Sequence, residues 1–153
     1  MSHAHNHRHC ISHALKTADS VCAARGIRLT PLRQQVLEAL WSSHQAQGAY
    51  DVLDVLNKTA SKKLAPLSVY RALDFLVEEG LAHRIESLNA YIGCPHADQH
   101  HALQFLICTT CRSVTELDES KITRQLESSS AQHGFTPART VVEVVGTCAG
   151  CSV

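Results

Sequence analysis

Hydrophobic residues in the first part of the chain recur at the spacing of amphipathic helices. Apolar side chains on one face from Ser12 to Ala24 predict a first helix, and Gly26 is expected to end it. Thr30 followed by Pro31 marks a second start, because threonine can cap a helix and proline suits the first helical position. The core positions predicted for this second helix are Leu32, Val36, Leu37, Leu40 and Trp41.

Two more helices are predicted before the pattern changes. Helical spacing resumes from Tyr50 to Leu56, and a basic turn follows that contains Lys62 and Lys63. Pro66 then opens a helix that should end at Gly80, a residue type that terminates helices. Its predicted buried positions are Val69, Ala72, Leu73, Leu76 and Val77. Its other side presents Ser68, Tyr70, Arg71 and Asp74.

After Gly80 the apolar pattern takes the period of strands. Leu81–Glu86 and Ala90–Gly93, separated by a short turn, predict a β-hairpin. Helices followed by a hairpin are typical of a winged helix-turn-helix domain. In such a domain the last helix enters the major groove of DNA.

The rest of the chain predicts a small α+β unit. A polar segment at 95–101 is followed by strands at Leu103–Ile107 and Ser113–Leu117, a helix at Asp118–His133 and a strand at Thr140–Val145. We therefore predict an α+β chain of two domains. Residues 1–11 would be a disordered histidine-rich tail, 12–93 the winged-helix domain with a hinge at about 84–102, and 94–153 the second domain.

Charge is distributed unevenly between the two halves. Residues 1–84 hold ten Lys/Arg and seven Asp/Glu, a balance of +3, whereas residues 85–153 hold four and seven, a balance of −3. Only the first half therefore favours a polyanion such as DNA. The chain has no apolar run long enough to span a bilayer and no secretory signal, so we expect a cytoplasmic protein without a membrane partner.

The strongest chemical signal is a pair of CxxC motifs, Cys108–Cys111 and Cys148–Cys151. Each motif presents two thiolates from one turn, and together they make a tetrahedral set suited to Zn²⁺. Four protein ligands leave no open position, so such a site would be structural. A redox disulfide switch is the alternative interpretation.

A second set of ligands lies around the predicted domain boundary. His83 and Cys94 stand at the ends of the hairpin, and His101 and Glu116 begin and end the next strand pair. If these four shared an ion, the thiolate would favour zinc over iron or manganese. A solvated surface role for the histidines is the alternative. His96, Asp98 and His100 leave open a mixed or third site.

From about residue 12 to residue 151 the sequence resembles the ferric uptake regulator family. Five features carry the resemblance: Arg28-Leu-Thr-Pro-Leu-Arg33, Ala49-Tyr-Asp51, Ser68-Val-Tyr-Arg-Ala-Leu73, the histidine-bearing segment before Cys108, and the two CxxC motifs. The stretch Val69–Leu76 and the order His83, Cys94, His101, Cys108, Glu116 look like the zinc-uptake branch of that family.

The resemblance implies a homodimer with winged-helix domains and C-terminal α/β dimerisation domains that binds a palindromic operator when metal-loaded. It implies two zinc ions per protomer: a structural ion at the four cysteines and a regulatory ion at His83, Cys94, His101 and Glu116. The output would be repression of zinc-uptake genes. Tyr50 and Arg71 match positions that contact purines in that branch, and Ser68, Tyr70, Lys62 and Lys63 are further DNA-binding candidates.

One position departs from the resemblance. Related zinc regulators carry an acid and a base one turn apart on the helix that begins at Tyr50, and these form salt bridges between neighbouring dimers. Asp54 supplies the acid here, but Asn57 stands where the base would be. The resemblance therefore does not imply that two dimers of this chain bind DNA cooperatively.

The sequence leaves alternatives to a zinc-responsive regulator. An iron-, manganese- or peroxide-sensing regulator of the same family is the nearest alternative, and a zinc-ribbon storage or interaction protein is a more distant one. An enzyme is not expected, because the sequence has neither HExxH nor the zinc-deaminase pattern.

Overall fold

The computed structural model describes residues 7–152, which form two compact units. The first unit extends to Gln99 and the second begins at His100. The boundary predicted after residue 93 differs from this one, because residues 94–99 belong with the first unit. The short ladder that starts in the hairpin continues through Cys94, whose N–H donates to the carbonyl of Leu81 over 3.0 Å.

The first unit begins with four helices: α1 (His7–Arg25), α2 (Pro31–Trp41), α3 (Ala49–Asn57) and α4 (Pro66–Glu78). The predicted cap of α2 is present, since the Thr30 side chain accepts a hydrogen bond from the Arg33 N–H.

The prediction of a disordered tail is wrong for residues 7–11, which form the first turns of α1. This segment contains neither glycine nor proline to stop a helix from extending backward, and Ile11 is half-buried. The rest of the predicted tail lies outside the described residues.

The hairpin follows α4 as predicted. Strand β1 (Ala82–Ile85) pairs antiparallel with β2 (Ala90–Gly93), and a short 3₁₀ turn connects them. Asn89 closes this turn with φ of 46°, in the left-handed region that asparagine tolerates.

Apolar faces of the helices and the hairpin meet in one core. The predicted positions Val36, Leu37, Leu40, Val69, Ala72, Leu73 and Leu76 are buried there, together with Ala18, Cys22, Val52, Leu53, Leu81 and Ala82. Leu32, Trp41 and Val77, also predicted to be core, are half-buried at its margin. The opposite side of α4, which includes Tyr70, Arg71 and Asp74, remains exposed to solvent.

The second unit is a three-stranded sheet with one helix. Its elements are β3 (Leu103–Cys108), β4 (Val114–Leu117), α5 (Ser120–Gln132) and β5 (Val141–Gly146), in the strand order β4-β3-β5. β3 pairs antiparallel with β4 and parallel with β5. Buried side chains concentrate on the central strand, at Gln104, Phe105, Ile107 and Cys108.

Within the described residues, no helix is both long and apolar enough to cross a membrane.

Candidate metal centres and nucleic-acid interface

Strand pairing brings the two CxxC motifs to one end of the second unit's sheet. The parallel register of β3 and β5 sets Cys108 opposite Gly146, just before the second motif. The N–H of Thr109 donates to the carbonyl of Gly146 over 2.9 Å and extends this pairing into the first turn. The turns therefore lie side by side because the strands that precede them do.

The four sulfur atoms of Cys108, Cys111, Cys148 and Cys151 all lie within 4.8 Å of one another. A tetrahedral zinc ion with Zn–S bonds of about 2.3 Å sets its ligands roughly 3.8 Å apart. The Sγ atoms of Cys111 and Cys148 are separated by 3.8 Å. This cluster thus has the size and the donor set of a four-thiolate zinc site.

Local hydrogen bonds give the thiols of Cys108, Cys111 and Cys151 different pKa values. Backbone N–H groups of Cys111 and Cys148 stabilise the thiolate of Cys108 and lower its pKa to about 6. The Ser113 hydroxyl lowers the pKa of Cys111. The side chains of Cys148 and Cys111 raise the pKa of Cys151 to about 12. Four thiolates so close together require a cation to share their charge.

The first unit supplies a buried histidine and a buried cysteine on one face of its hairpin. His83 pairs with Ile92, and Cys94 follows Ile92 by two residues, so the side chains of His83 and Cys94 point to the same face. His83 is 6% exposed and Cys94 is 5% exposed. The hairpin therefore presents two soft metal donors away from bulk water.

The second unit supplies a histidine and a carboxylate in direct contact. Glu116 lies opposite Phe105 in the β3–β4 pairing, and the Nε2 atom of His101 is 2.6 Å from its Oε1 atom. Both side chains are nearly buried, at 10% and 13% exposed. An oxygen and a nitrogen donor thus face one another.

The predicted DNA-contacting residues lie on the outer surface of the first unit. Tyr70 and Arg71 are exposed on α4, and Ser68 is half-buried. Tyr50, at the start of α3, is 62% exposed, and its ring meets that of Tyr70 edge to face with centroids 6.4 Å apart. The structure therefore joins the start of α3 to the exposed face of α4 through an aromatic pair.

The loop before α4 carries the exposed side chains of Lys62 and Lys63 and is anchored from α3. The Oδ1 atom of Asn57 accepts a hydrogen bond from the Leu64 N–H over 2.8 Å. Asn57, which departs from the family's pattern, thus holds the end of the basic loop.

Leu67 is an exposed surface residue that was not among the predicted DNA-binding residues. It lies in the first turn of α4, one turn before Arg71, and is 59% exposed. The helical period could have identified it, because Leu67 lies three and four residues before Tyr70 and Arg71 and falls outside the predicted core stripe. It adds an apolar contact to the face that carries Tyr70 and Arg71.

These arrangements can be compared with known proteins. The family model described as "Ferric uptake regulator family" matches residues 24–145, which include α2 to β4 and most of β5. The chain belongs to the ferric uptake regulator family. Membership of this family makes the winged helix a DNA-binding element and the second unit a dimerisation element.

The most informative relatives of this family member are zinc regulators. A zinc uptake regulation protein of Escherichia coli K12 is 39% identical over 138 residues, which cover 90% of this chain and 80% of the relative. A solved zinc uptake regulator complexed with zinc and DNA is 36% identical, with a TM-score of 0.85 and coverage of 96% of this chain and 95% of that one. A structure of holo XcZur is 38% identical with a TM-score of 0.82 and covers 93% of this chain and 98% of that one.

Replacing Cys108 tests the four-sulfur cluster of this family member. Cys108→Ser removes one thiolate and with it the cross-link between the two turns, in a unit with few buried side chains. We expect the purified chain to lose one zinc equivalent and to melt at a lower temperature. Metal analysis and thermal unfolding measure both effects.

Cys10→Ser is the matched control, because Cys10 lies on α1 in the other unit. It should keep the metal content of the wild type. Full zinc content and an unchanged melting temperature in Cys108→Ser would refute the structural role.

Proposed function

We propose that this chain is a zinc-responsive, DNA-binding transcriptional regulator that represses zinc-uptake genes when it is zinc-loaded. The observation that carries the proposal is the buried pair His83 and Cys94, which is built into the hairpin of the DNA-binding unit itself. Metal binding at His83 and Cys94 would act on the hairpin, and the hairpin flanks the recognition helix α4. The zinc regulators among the relatives support the same function.

We infer that His83 and Cys94 share one regulatory zinc with His101 and Glu116. Only seven residue steps separate Cys94 from His101, so the chain holds the two pairs within about 25 Å even when fully extended. A short connection of this kind gives each pair a high effective concentration near the other. A set of two imidazoles, a thiolate and a carboxylate suits tetrahedral zinc.

Zinc would supply a positive charge that four side chains share. Within the second unit, the Nε2 atom of His101 and the Oε1 atom of Glu116 already lie 2.6 Å apart. Zinc binds thiolate, neutral imidazole and carboxylate, so protons compete with the metal for such ligands. Regulatory zinc should accordingly bind more weakly as pH falls.

The thiolate of Cys94 also favours zinc over iron and manganese at this site. Iron- and manganese-sensing sites favour carboxylate and imidazole donors, whereas cysteine favours zinc. His96, Asp98 and His100 could supply the former kind of site and remain candidates for a third ion. We assign two zinc ions to each protomer, one structural and one regulatory.

The DNA-binding mechanism depends on the orientation of two recognition helices in a dimer. Two helices can contact successive major grooves only when they lie about 34 Å apart. The four regulatory ligands would restrict the hinge at about 84–102 and favour that spacing. To shift such an equilibrium from 1:99 to 99:1 requires about 5.5 kcal/mol of differential binding, which metal coordination can supply.

The second unit carries the surface for homodimerisation. β5 lies at the edge of its sheet, and Val144 and Val145 are 52% and 51% exposed. On α5, Ile122 and Leu126 form an exposed apolar pair one turn apart. An apolar edge strand beside an apolar helical stripe favours a second copy of the same chain.

The exposed face of α4 would read the operator. Arg71 can bind guanine through two hydrogen bonds, and Leu67 can contact the methyl group of thymine. Tyr50 contributes from the start of α3, with Tyr70 beside it, and Ser68 is a further candidate on α4. Lys62 and Lys63 in the loop would contact phosphates.

Regulation of transcription is not a catalytic activity, and both proposed zinc sites are filled by four protein ligands. That arrangement leaves no position for a reactive water. We propose the cytoplasm as the compartment, because operator DNA is found there.

Cys94→Ser should separate regulation from structure. The variant loses its soft donor, so it should retain one zinc and a stable fold while its DNA affinity no longer responds to zinc. Fluorescence anisotropy across a zinc titration, with an operator selected in vitro by the wild type, measures the response. Equal zinc dependence in wild type and Cys94→Ser would exclude the proposed regulatory site.

Arg71→Ala should weaken binding to the selected operator by roughly 1–3 kcal/mol and relax its base preference. Lys63→Ala is the comparison, since loss of a phosphate contact lowers affinity for all sequences and reduces the salt dependence. Competition between matched and base-substituted duplexes distinguishes the two effects. Unchanged discrimination in Arg71→Ala would show that Arg71 does not read a base.

Val144→Glu should convert the dimer to a monomer, because it introduces charge into the proposed apolar interface. Sedimentation equilibrium measures the change. Val55→Glu is the matched control, since Val55 is an exposed valine of α3 in the other unit. A Val144→Glu variant that remains dimeric would contradict the assignment of β5 to the interface.

A further inference from the structure

The indole ring of Trp41 packs directly onto the backbone of Gly93. A Cβ atom built at Gly93 would lie 2.3 Å from Nε1 and 2.5 Å from Cε2 of Trp41. Both distances are far inside van der Waals contact. A side chain at position 93 therefore requires either the indole or the strand to move.

Glycine is required here by space and not by backbone conformation. The described glycines with positive φ are Gly26, Gly80 and Gly134, and Gly93 is not among them. Its backbone pairs with Ala82 in the regular hairpin ladder. An alanine could adopt this conformation, so contact with Trp41 is what excludes it.

Trp41 is held at this place by packing. It ends α2, whose preceding turn buries Leu37 and Leu40 in the core. Its Nε1 atom is buried and has no hydrogen-bond partner among the described residues. The indole therefore transmits the position of α2 to the strand through shape alone.

The residue after Gly93 is Cys94, whose N–H continues the ladder by donating to Leu81 over 3.0 Å. Any displacement of Gly93 away from Trp41 is passed to this residue through the shared peptide bond. His83 lies on the neighbouring strand, where its own ladder partner is Ile92. The separation of the two donor atoms on the hairpin face therefore depends on the Trp41–Gly93 contact.

We propose that Trp41 and Gly93 form a complementary large–small pair that positions the Cys94 thiolate for regulatory zinc. The inference rests on the proposed function of Cys94 and adds two positioning residues that do not themselves touch the metal. It also makes Trp41, the single tryptophan of the chain, a reporter of that site.

A suppressor experiment tests this pair. Gly93→Ala should lower affinity for the second zinc equivalent at least tenfold while the four-cysteine zinc is retained, as measured by competition with a zinc chelator. Trp41→Ala/Gly93→Ala should recover that affinity, because removal of the indole makes room for the new methyl group. Trp41→Ala alone should keep the four-cysteine zinc but bind the second zinc more weakly than the wild type, because it removes the surface against which Gly93 packs.

Fluorescence provides a readout that is independent of DNA binding. Zinc added to wild type with its structural site filled should change Trp41 emission, and Gly93→Ala should not respond at the same free zinc concentration. Wild-type affinity in Gly93→Ala would overturn the proposal. A folded double variant that fails to recover zinc would also overturn it, even if Gly93→Ala itself folds poorly.

If the wild type binds only one zinc, the regulatory site itself is wrong. That result differs from failure of the Trp41–Gly93 proposal, in which the wild type binds two zinc ions and the variants do not behave as expected.

Discussion

Thiolate and carboxylate ligands gathered in a small protein need a cation to share their charge, and we propose that this requirement acts at two places in the chain. In the second unit, four sulfur atoms lie within 4.8 Å of one another at the end of a sheet that buries few side chains. Zinc binding there would be folding free energy, because the ligands converge only in the folded state. A zinc-loaded cluster would thus hold the C-terminal turn against the sheet whose apolar edge we assign to the dimer.

The second requirement is distributed between the units. His83 and Cys94 belong to the DNA-binding unit and His101 and Glu116 to the other, so a metal shared by all four, as we propose, would couple the hairpin to the dimerising sheet. Each pair is already arranged by its own strands. On this proposal the same coordination chemistry would stabilise one unit and regulate the other.

Much of the fold could be predicted from the sequence, because helix caps, terminating glycines and apolar stripes act locally. The Thr30–Pro31 start, the helix end at Gly80 and the stripe from Val69 to Leu76 all appear in the structure. Helix α1 starts earlier than its apolar pattern suggested, since periodicity marks the buried face and not the point where an unobstructed helix begins.

Contacts that depend on tertiary packing could not be predicted in this way. The CxxC spacing indicated four metal ligands, but the parallel register that sets Cys108 opposite Gly146 is a property of the folded sheet. The contact of Trp41 with Gly93 joins residues more than fifty positions apart, and no local pattern connects them.

The most direct test of the regulatory account is the distance between the two recognition helices of a dimer. A spin label attached through a ketone-bearing amino acid at exposed Asp74 leaves every cysteine free to bind metal. Pulsed electron resonance should give a broad distance distribution when only the structural zinc is present. Regulatory zinc should narrow it to one population compatible with the roughly 34 Å repeat of the major groove. Identical distributions with and without that zinc would contradict the account.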